Sequence, residues 1–272
     1  MTTVVLTRTQ PQNSLEPLNS QPSVQVAPQA MYSVGTRLYF KSMPHPFTPC
    51  HAEIVELKEV GWDRSCQVVV VNLVDDTRSA NILLAGGMKM VAKIFDTVYD
   101  NTGLMDAGVS TGEWLKENEA KIFRHLTPLQ GSVIPKFIGE SICHRPTNVG
   151  LHSEMVSVLL FEVRTERRLS EYPIDAFTTR DQRETFQHAL KSAFSLIHSH
   201  NVSHGDPVRE NLLYEDGKVV VIDFGIASIV DTSANSAWMT DDEAMVDSVL
   251  QVFGIETDPL PVDQDAFHAA QF

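Results

Sequence analysis

The 272-residue sequence lacks any apolar run close to the roughly 20 residues that a membrane-spanning helix needs. Basic residues are also scarce: 21 Lys and Arg stand against 35 Asp and Glu, which gives a formal net charge of −14 at pH 7. A chain this acidic has no general electrostatic attraction for nucleic acid or for an anionic membrane surface. We therefore expect no nucleic-acid partner and no membrane partner.

Cysteine is scarce as well. Cys50, Cys66 and Cys143 are odd in number and have no metal-type C-x-x-C spacing, a usage typical of reduced thiols in an intracellular protein. Residues 1–6 are too short and too polar a segment to resemble a signal peptide. These features predict a cytoplasmic or nuclear protein.

The chain divides into three stretches of different character. Residues 1–30 are rich in Gln, Pro, Ser, Thr and Asn, and we predict a disordered tail. Residues 31–161 contain several short β-branched runs and one helix, which opens at a capping box over residues 110–113. Residues 162–272 favour helices around one hairpin, whose turn spans residues 215–218. The pattern predicts an α+β fold.

The strongest chemical signal lies in two triplets that flank this hairpin. A His-Gly-Asp triplet ends at Asp206, Asn211 follows five residues later, and an Asp-Phe-Gly triplet begins at Asp223. Phosphoryl transfer needs Mg²⁺ held by oxygen ligands and a carboxylate that orients the acceptor hydroxyl, and these three residues supply both. Either triplet alone would favour a simpler interpretation, as loop formers and a strand end. Together, at this spacing across a hairpin, the two triplets favour a site.

Together the triplets resemble the catalytic loop and the metal-binding loop of the protein-kinase-like superfamily, and the resemblance covers about residues 32–253. It implies a bilobal protein-kinase-like fold, with a β-rich N-lobe (31–161) that contains one helix and a shortened, mainly helical C-lobe (162–272). It implies Asp206 as the catalytic base, Asn211 and Asp223 as Mg²⁺ ligands, and ATP as the phosphoryl donor. Gly205 replaces the family's arginine that grips a phosphorylated activation loop, so control by that route is not expected.

A Val-Ala-Lys run that ends at Lys93 resembles the family's strand lysine, which grips the α- and β-phosphates of ATP. Glu119, on the following helix, matches the carboxylate that pairs with this lysine in the family. Glu113 and Glu117 on the same helix are alternatives. The simpler interpretation is a solvated lysine and three solvated carboxylates.

Phe161, Glu162 and Arg164 resemble the hinge between the lobes, where backbone groups bind adenine. The alternative interpretation of this segment is the end of a strand that is followed by charged residues. One family feature is missing, because no Gly-x-Gly-x-x-Gly precedes Lys93. Residues 42–48 and 74–79 are the two candidates for a phosphate loop.

His198, His200 and His204 lie close together but have no cysteine or carboxylate partners at metal-ligand spacing. We therefore expect no zinc site here and interpret His204 as a packing and hydrogen-bonding residue of its loop.

Three functions stay open. The first is an ATP–Mg²⁺-dependent protein kinase that acts on Ser or Thr hydroxyls of a protein substrate. The second is a small-molecule kinase of the choline-kinase or aminoglycoside-kinase type, a group that shares the His-Gly-Asp triplet and phosphorylates a small alcohol. The third is a catalytically silent pseudokinase that binds partners, which the missing glycines favour. Because Lys93, Glu119, Asp206, Asn211 and Asp223 are all present, we predict an enzyme.

Overall fold

The computed structural model of the chain describes residues 27–42, 50–61, 64–74, 87–99, 111–146, 154–230 and 237–257. Its strands are β1 Arg37–Ser42, β2 Cys50–Glu59, β3 Gln67–Val74, β4 Lys89–Phe95, β5 Phe137–His144, β6 Met155–Glu162, β7 Arg167–Arg168, β8 Val202–Ser203, β9 Leu212–Glu215, β10 Lys218–Val221 and β11 Ser228–Ile229. Its α-helices are α1 Pro28–Met31, α2 Thr111–His125, α3 Arg180–Ser199 and α4 Ala237–Val252.

Six antiparallel strands close into a barrel in the order β1-β2-β3-β4-β6-β5, and β5 pairs again with β1. Successive side chains of a strand point to opposite faces, so one set fills the barrel and the other faces outward. In β4 the inward set is Met90, Ala92 and Ile94, which belong to the core inside the barrel. The alternation places Lys93 on the outer face, where α2 packs.

Helices α3 and α4 pack beside two small sheets, β10-β9-β7 and β11-β8. A capping box begins α3, since Thr179 and Gln182 exchange side-chain and backbone hydrogen bonds. The apolar stripe of this helix is buried in full: Phe186, Leu190, Phe194 and Ile197. Over the described ranges, no helix combines the length and the apolar character needed to cross a bilayer.

The predicted bilobal protein-kinase-like fold, with a mainly helical C-lobe, is wrong. The β-rich half is a closed antiparallel barrel, and the described residues after Glu162 form only two long helices beside five short strands. The strand that closes the barrel is β5, which pairs with β6 along its length and with β1 at Phe40 and Ser42. The sequence pattern did not reveal β5, because Gly139, Glu140 and Ser141 interrupt its apolar residues.

A buried ion pair joins two strand ends of the barrel. Asp96 follows β4 and Arg145 follows β5; Arg145 donates to the Asp96 carboxylate from Nε (2.8 and 3.0 Å) and from Nη2 (2.6 Å). The Tyr32 hydroxyl donates to the same carboxylate at 2.7 Å. Burial and the neighbouring Asp96 charge raise the pKa of Tyr32 well above its ordinary value. The Asp96 side chain is fully buried, so these partners replace the hydrogen bonds that water would otherwise make to it.

Replacing Arg145 with methionine should lower the free energy of unfolding by about 3–5 kcal/mol, because it leaves the Asp96 carboxylate buried without its cation. Urea denaturation measures the loss. Glu154 provides the control, since it also contacts Arg145 at 2.6 Å but its side chain is 71% exposed. We expect Glu154→Ala to cost less than about 1 kcal/mol. Equal losses in the two variants would contradict a stabilising role for the buried pair.

Candidate functional site

Lys93 lies between two carboxylates. Its Nζ donates to Oε2 of Glu119 and to Oδ1 of Asp223, and both distances are 2.7 Å. Lys93 and Glu119 are buried, whereas nearly half of the Asp223 side chain is exposed. Glu113 and Glu117, the other candidates on α2, are exposed. The structure therefore brings Glu119 to Lys93, as the sequence predicted, and adds Asp223 to the same ammonium group.

In this cluster one cation, the Lys93 ammonium group, pairs with two carboxylates. Burial raises the pKa of Glu119 to about 6, against the opposing effect of Lys93. The charge of Lys93 lowers the pKa of Asp223, whose exposed carboxylate stays ionised. Burial alone would lower the pKa of Lys93, but the two carboxylates raise it well above its ordinary value. At neutral pH the cluster carries one excess negative charge, which suits a cation.

Helix α2 also holds the segment that follows Asp223. Asn118 Nδ2 donates to the carbonyl oxygens of Gly225 and Ala227, both at 2.8 Å. The ring of Phe224 is buried between Phe123 and His204, with ring-centroid distances of 5.3 and 4.7 Å. Asp223 itself has a φ of 64°, a left-handed conformation that Asp tolerates better than most residues. The anchored residues on its C-terminal side hold this turn in place.

The second triplet lies beside the first because of the β9–β10 hairpin. Ile222 donates its N–H to the Asn211 carbonyl at 2.9 Å, so the two ends of the hairpin meet. Asn211 Nδ2 donates to the backbone oxygen and to Oδ2 of Asp206, both at 3.0 Å. The structure thus brings Asp206, Asn211 and Asp223 together. Asn211 and Asp223 line one cavity, and Asp206 adjoins it through Asn211.

His204 connects the two triplets, as the sequence predicted for a hydrogen-bonding loop residue. Its Nδ1 accepts the Asp206 N–H at 3.2 Å, so the proton belongs on Nε2, which donates to the Ile222 carbonyl at 3.0 Å. Burial lowers the pKa of His204, which keeps the ring neutral. Gly205 follows with a φ of 80°, and a Cβ there would lie 3.2 Å from the Ile226 carbonyl oxygen. This loop therefore requires glycine at position 205.

Asp242 on α4 was missed by sequence reasoning. It is 1% exposed, and its two carboxylate oxygens accept the N–H groups of His204 (2.6 Å) and Gly205 (2.8 Å). His198 Nε2 lies 3.1 Å from the same carboxylate. Asp242 is a positioning residue, because it holds the backbone of the loop that carries Asp206. A signal existed, since helical spacing puts this acid on the buried stripe with Val246, Val249 and Leu250.

The predicted hinge residues lie on one wall of a cavity of about 240 Å³. The Phe161 side chain is buried at this wall. The Arg164 guanidinium donates to Glu162 at 2.9 Å and to Glu166 at 2.5 and 3.0 Å. Apolar residues complete the lining next to them, among them Val68, Val91, Leu213 and Ile222. An aromatic ring bound in this part of the cavity would contact these apolar side chains. The charged side chains of the neighbouring segment, Glu162, Arg164 and Glu166, pair with one another.

The β2–β3 hairpin contributes to the cavity lining. Residues 42–48 and 74–79, the two candidates for a phosphate loop, lie outside the described residues except for Ser42 and Val74. Among the described residues, Lys58, Glu59 and Val68 of the β2–β3 hairpin line the cavity. Its turn is held by the buried side chain of Gln67, which accepts the Gly61 N–H at 2.8 Å and donates to the Gly61 carbonyl at 2.9 Å.

The oxygen donors at this cavity suit Mg²⁺ better than they suit a metal ion that is coordinated by protein side chains alone. In the part of the chain that the structure describes, no group of three or more His, Cys, Asp or Glu could hold a metal ion. Asn211 and Asp223 offer two hard oxygen donors at one cavity. Mg²⁺ is commonly bound through one or two such side chains, with phosphate oxygens and water as its other ligands.

Comparison with protein-family models gives no match to this chain, and comparison with curated proteins gives none either. The function is therefore inferred from the chemistry of the site.

The raised pKa of Glu119 predicts a pH dependence of stability. Because the folded pKa (about 6) exceeds the ordinary value of 4.5, the folded protein keeps this proton longer than the unfolded chain. The resulting stabilisation is complete below about pH 4.5 and is lost as pH rises to about 6. Relative to Glu119→Gln, the free energy of unfolding of the unsubstituted protein should fall by about 2 kcal/mol over this range.

Urea denaturation at a series of pH values measures this difference. Glu117→Gln is the control, because it makes the same substitution at an exposed position of the same helix. If the unsubstituted protein and Glu119→Gln have the same slope, Glu119 does not titrate as inferred.

Proposed function

We propose that the protein is an ATP–Mg²⁺-dependent phosphotransferase that transfers the γ-phosphoryl group to a hydroxyl group. The observation that carries the proposal is the Lys93 ammonium held at 2.7 Å by both Glu119 and Asp223, with Asn211 and Asp206 adjoining. Phosphoryl transfer depends almost entirely on positioning and on charge stabilisation, which such a cluster provides. The proposal depends on the site and its motifs, and it does not require the protein-kinase fold that the barrel excludes.

Each residue of the cluster has a distinct task. Glu119 fixes the Lys93 side chain, so the ammonium group faces the cavity without having to be ordered when a nucleotide binds. Contact between the Lys93 ammonium group and the phosphate oxygens would compensate part of the negative charge of the phosphates. Asp223 and Asn211 would hold Mg²⁺, which would offset the negative charge that develops on the phosphate oxygens.

Asp206 acts on the acceptor. Asn211 donates to one of its carboxylate oxygens, Oδ2, which leaves the other oxygen to accept the proton of the acceptor hydroxyl. In the proposed reaction the acceptor oxygen forms a bond to the γ-phosphorus, the bond from this phosphorus to the bridging oxygen breaks, and ADP leaves. The acceptor proton passes to Asp206. The carboxylate is therefore a general base that is oriented before the substrate arrives.

A Ser or Thr hydroxyl of a protein is the acceptor that we propose. Asp206 is only half-buried and is not part of the cavity lining, and the neighbouring side chain of Ile226 is 48% exposed. An acceptor would thus approach over an open surface, which admits a polypeptide segment more readily than it encloses a small alcohol. A small-molecule kinase is the alternative that shares the His-Gly-Asp triplet.

Asp223→Asn should abolish Mg²⁺-dependent nucleotide binding, because it removes the negative charge of the only carboxylate in the proposed metal site. Thermal unfolding with ATP, in Mg²⁺ and in EDTA, measures this effect as the loss of the Mg²⁺-dependent rise in Tm. Asp216→Asn, in the exposed hairpin turn, is the matched control and should keep that rise. An undiminished Mg²⁺-dependent rise in Asp223→Asn would refute the metal assignment.

Asp206→Asn should retain ATP binding, because Asp206 lies outside the cavity lining and Asn preserves the side-chain shape. Phosphoryl transfer should slow by about 100-fold or more, the usual scale for a positioned general base. Single-turnover transfer from labelled ATP to generic protein substrates measures the rate, beside an ATP thermal shift on the same samples. Equal rates in both proteins would exclude Asp206 as the base. ATP binding without transfer to any acceptor, in the unsubstituted protein, would identify a pseudokinase.

A further inference from the structure

An ion pair joins two elements that line the cavity. Glu59 is the last residue of β2, in the hairpin on the barrel side, and Arg168 is the last residue of β7, in the small sheet on the opposite side. Oε1 of Glu59 lies 2.5 Å from Nη2 of Arg168, and both residues line the cavity. The Arg168 backbone is paired with Leu213 of β9, which also lines the cavity. The pair therefore connects the barrel hairpin to the small sheet across part of the cavity lining.

The Glu59 carboxylate is also held from its own side. Its second oxygen, Oε2, accepts from Nη1 of Arg64 at 2.9 Å, and Arg64 belongs to the same hairpin. Gln67 fixes the Gly61 backbone in the same hairpin. Arg64 thus makes a contact within the hairpin, whereas Arg168 makes the contact across the cavity. The two can be removed separately.

The exposure of the pair indicates a reversible contact. The side chains of Glu59 and Arg168 are 22% and 23% exposed, so water reaches both partners. Ion pairs of this kind shift an equilibrium by about fivefold or less and weaken as salt is added. Such a contact retards passage without closing the cavity permanently.

We propose that Glu59 and Arg168 form a latch that slows both the binding and the release of a nucleotide in this cavity. The identity of the ligand rests on the proposed function, but the latch itself rests on the geometry of the ion pair. Because the latch acts on the barrier, its removal changes both rates in the same direction and leaves the dissociation constant nearly unchanged.

Stopped-flow measurements with a fluorescent ADP analogue and Mg²⁺ test this proposal. Glu59→Gln and Arg168→Gln should each raise the association and dissociation rate constants by about fivefold. The double variant should be no faster than either single variant, since each change breaks the same contact. Arg64→Gln, which loses only the contact within the hairpin, is the matched control and should keep the rates of the unsubstituted protein.

Two kinetic results would overturn the latch. If Arg64→Gln accelerates exchange as much as Arg168→Gln does, the rigidity of the hairpin controls access and the cross-cavity contact does not. If only dissociation accelerates, Glu59 or Arg168 binds the nucleotide directly. Raising the ionic strength should accelerate exchange in the unsubstituted protein and have little effect on Glu59→Gln; the same salt response in both would likewise count against the latch.

Amide hydrogen exchange without any ligand separates failure of the latch from failure of the proposed function. Glu59→Gln and Arg168→Gln should each increase exchange at residues 58–61 and at residues 167–168, and Arg64→Gln should leave residues 167–168 unchanged. This result would support the latch even if the unsubstituted protein binds no nucleotide. Unchanged exchange in both latch variants would refute it regardless of nucleotide binding.

Discussion

The contact on which the rest of the site depends is the buried ammonium group of Lys93. Strand alternation in β4 directs it out of the barrel, into a place where little water can solvate it. A buried charge is tolerated only if it is paired and hydrogen-bonded, so Lys93 requires the Glu119 and Asp223 carboxylates that surround it. Charge pairing therefore ties helix α2 and the segment at Asp223 to one strand of the barrel.

From this ion cluster a continuous set of contacts reaches Asp206. Asn118, the neighbour of Glu119, holds two carbonyls of the segment after Asp223, and that segment continues into β11, which pairs with β8 just before the His204 loop. On the far side, Asp242 accepts two backbone N–H groups of the same loop. The polar groups of the candidate site are thus held by further polar groups around them, which is the arrangement that preorganised sites require.

The features predictable from the sequence are those set by short-range patterns. The apolar stripe of α3 and the turn at Gly217 involve residues only a few positions apart. The fold class was wrong because closing the barrel needs β5 to pair with β1, about one hundred residues earlier, and nothing in the composition of β5 reveals that pairing. Asp242 escaped notice for the same reason, since its partners are backbone groups 37 and 38 residues away.

The candidate site does not depend on the predicted fold class, because each of its residues is positioned by its own strand, helix or hairpin. Lys93 points outward because of its parity in β4, and Glu119 meets it because α2 packs on that outer face. Asn211 and Asp223 lie close together because they flank one hairpin, and this does not depend on the elements that the hairpin packs against. Motif spacing therefore constrains a chemical site more tightly than it constrains the architecture around it, so function must be argued from the residues that converge. Here a strand, a helix and a hairpin are sufficient to bring a cation, its paired carboxylates and a candidate base into one cluster.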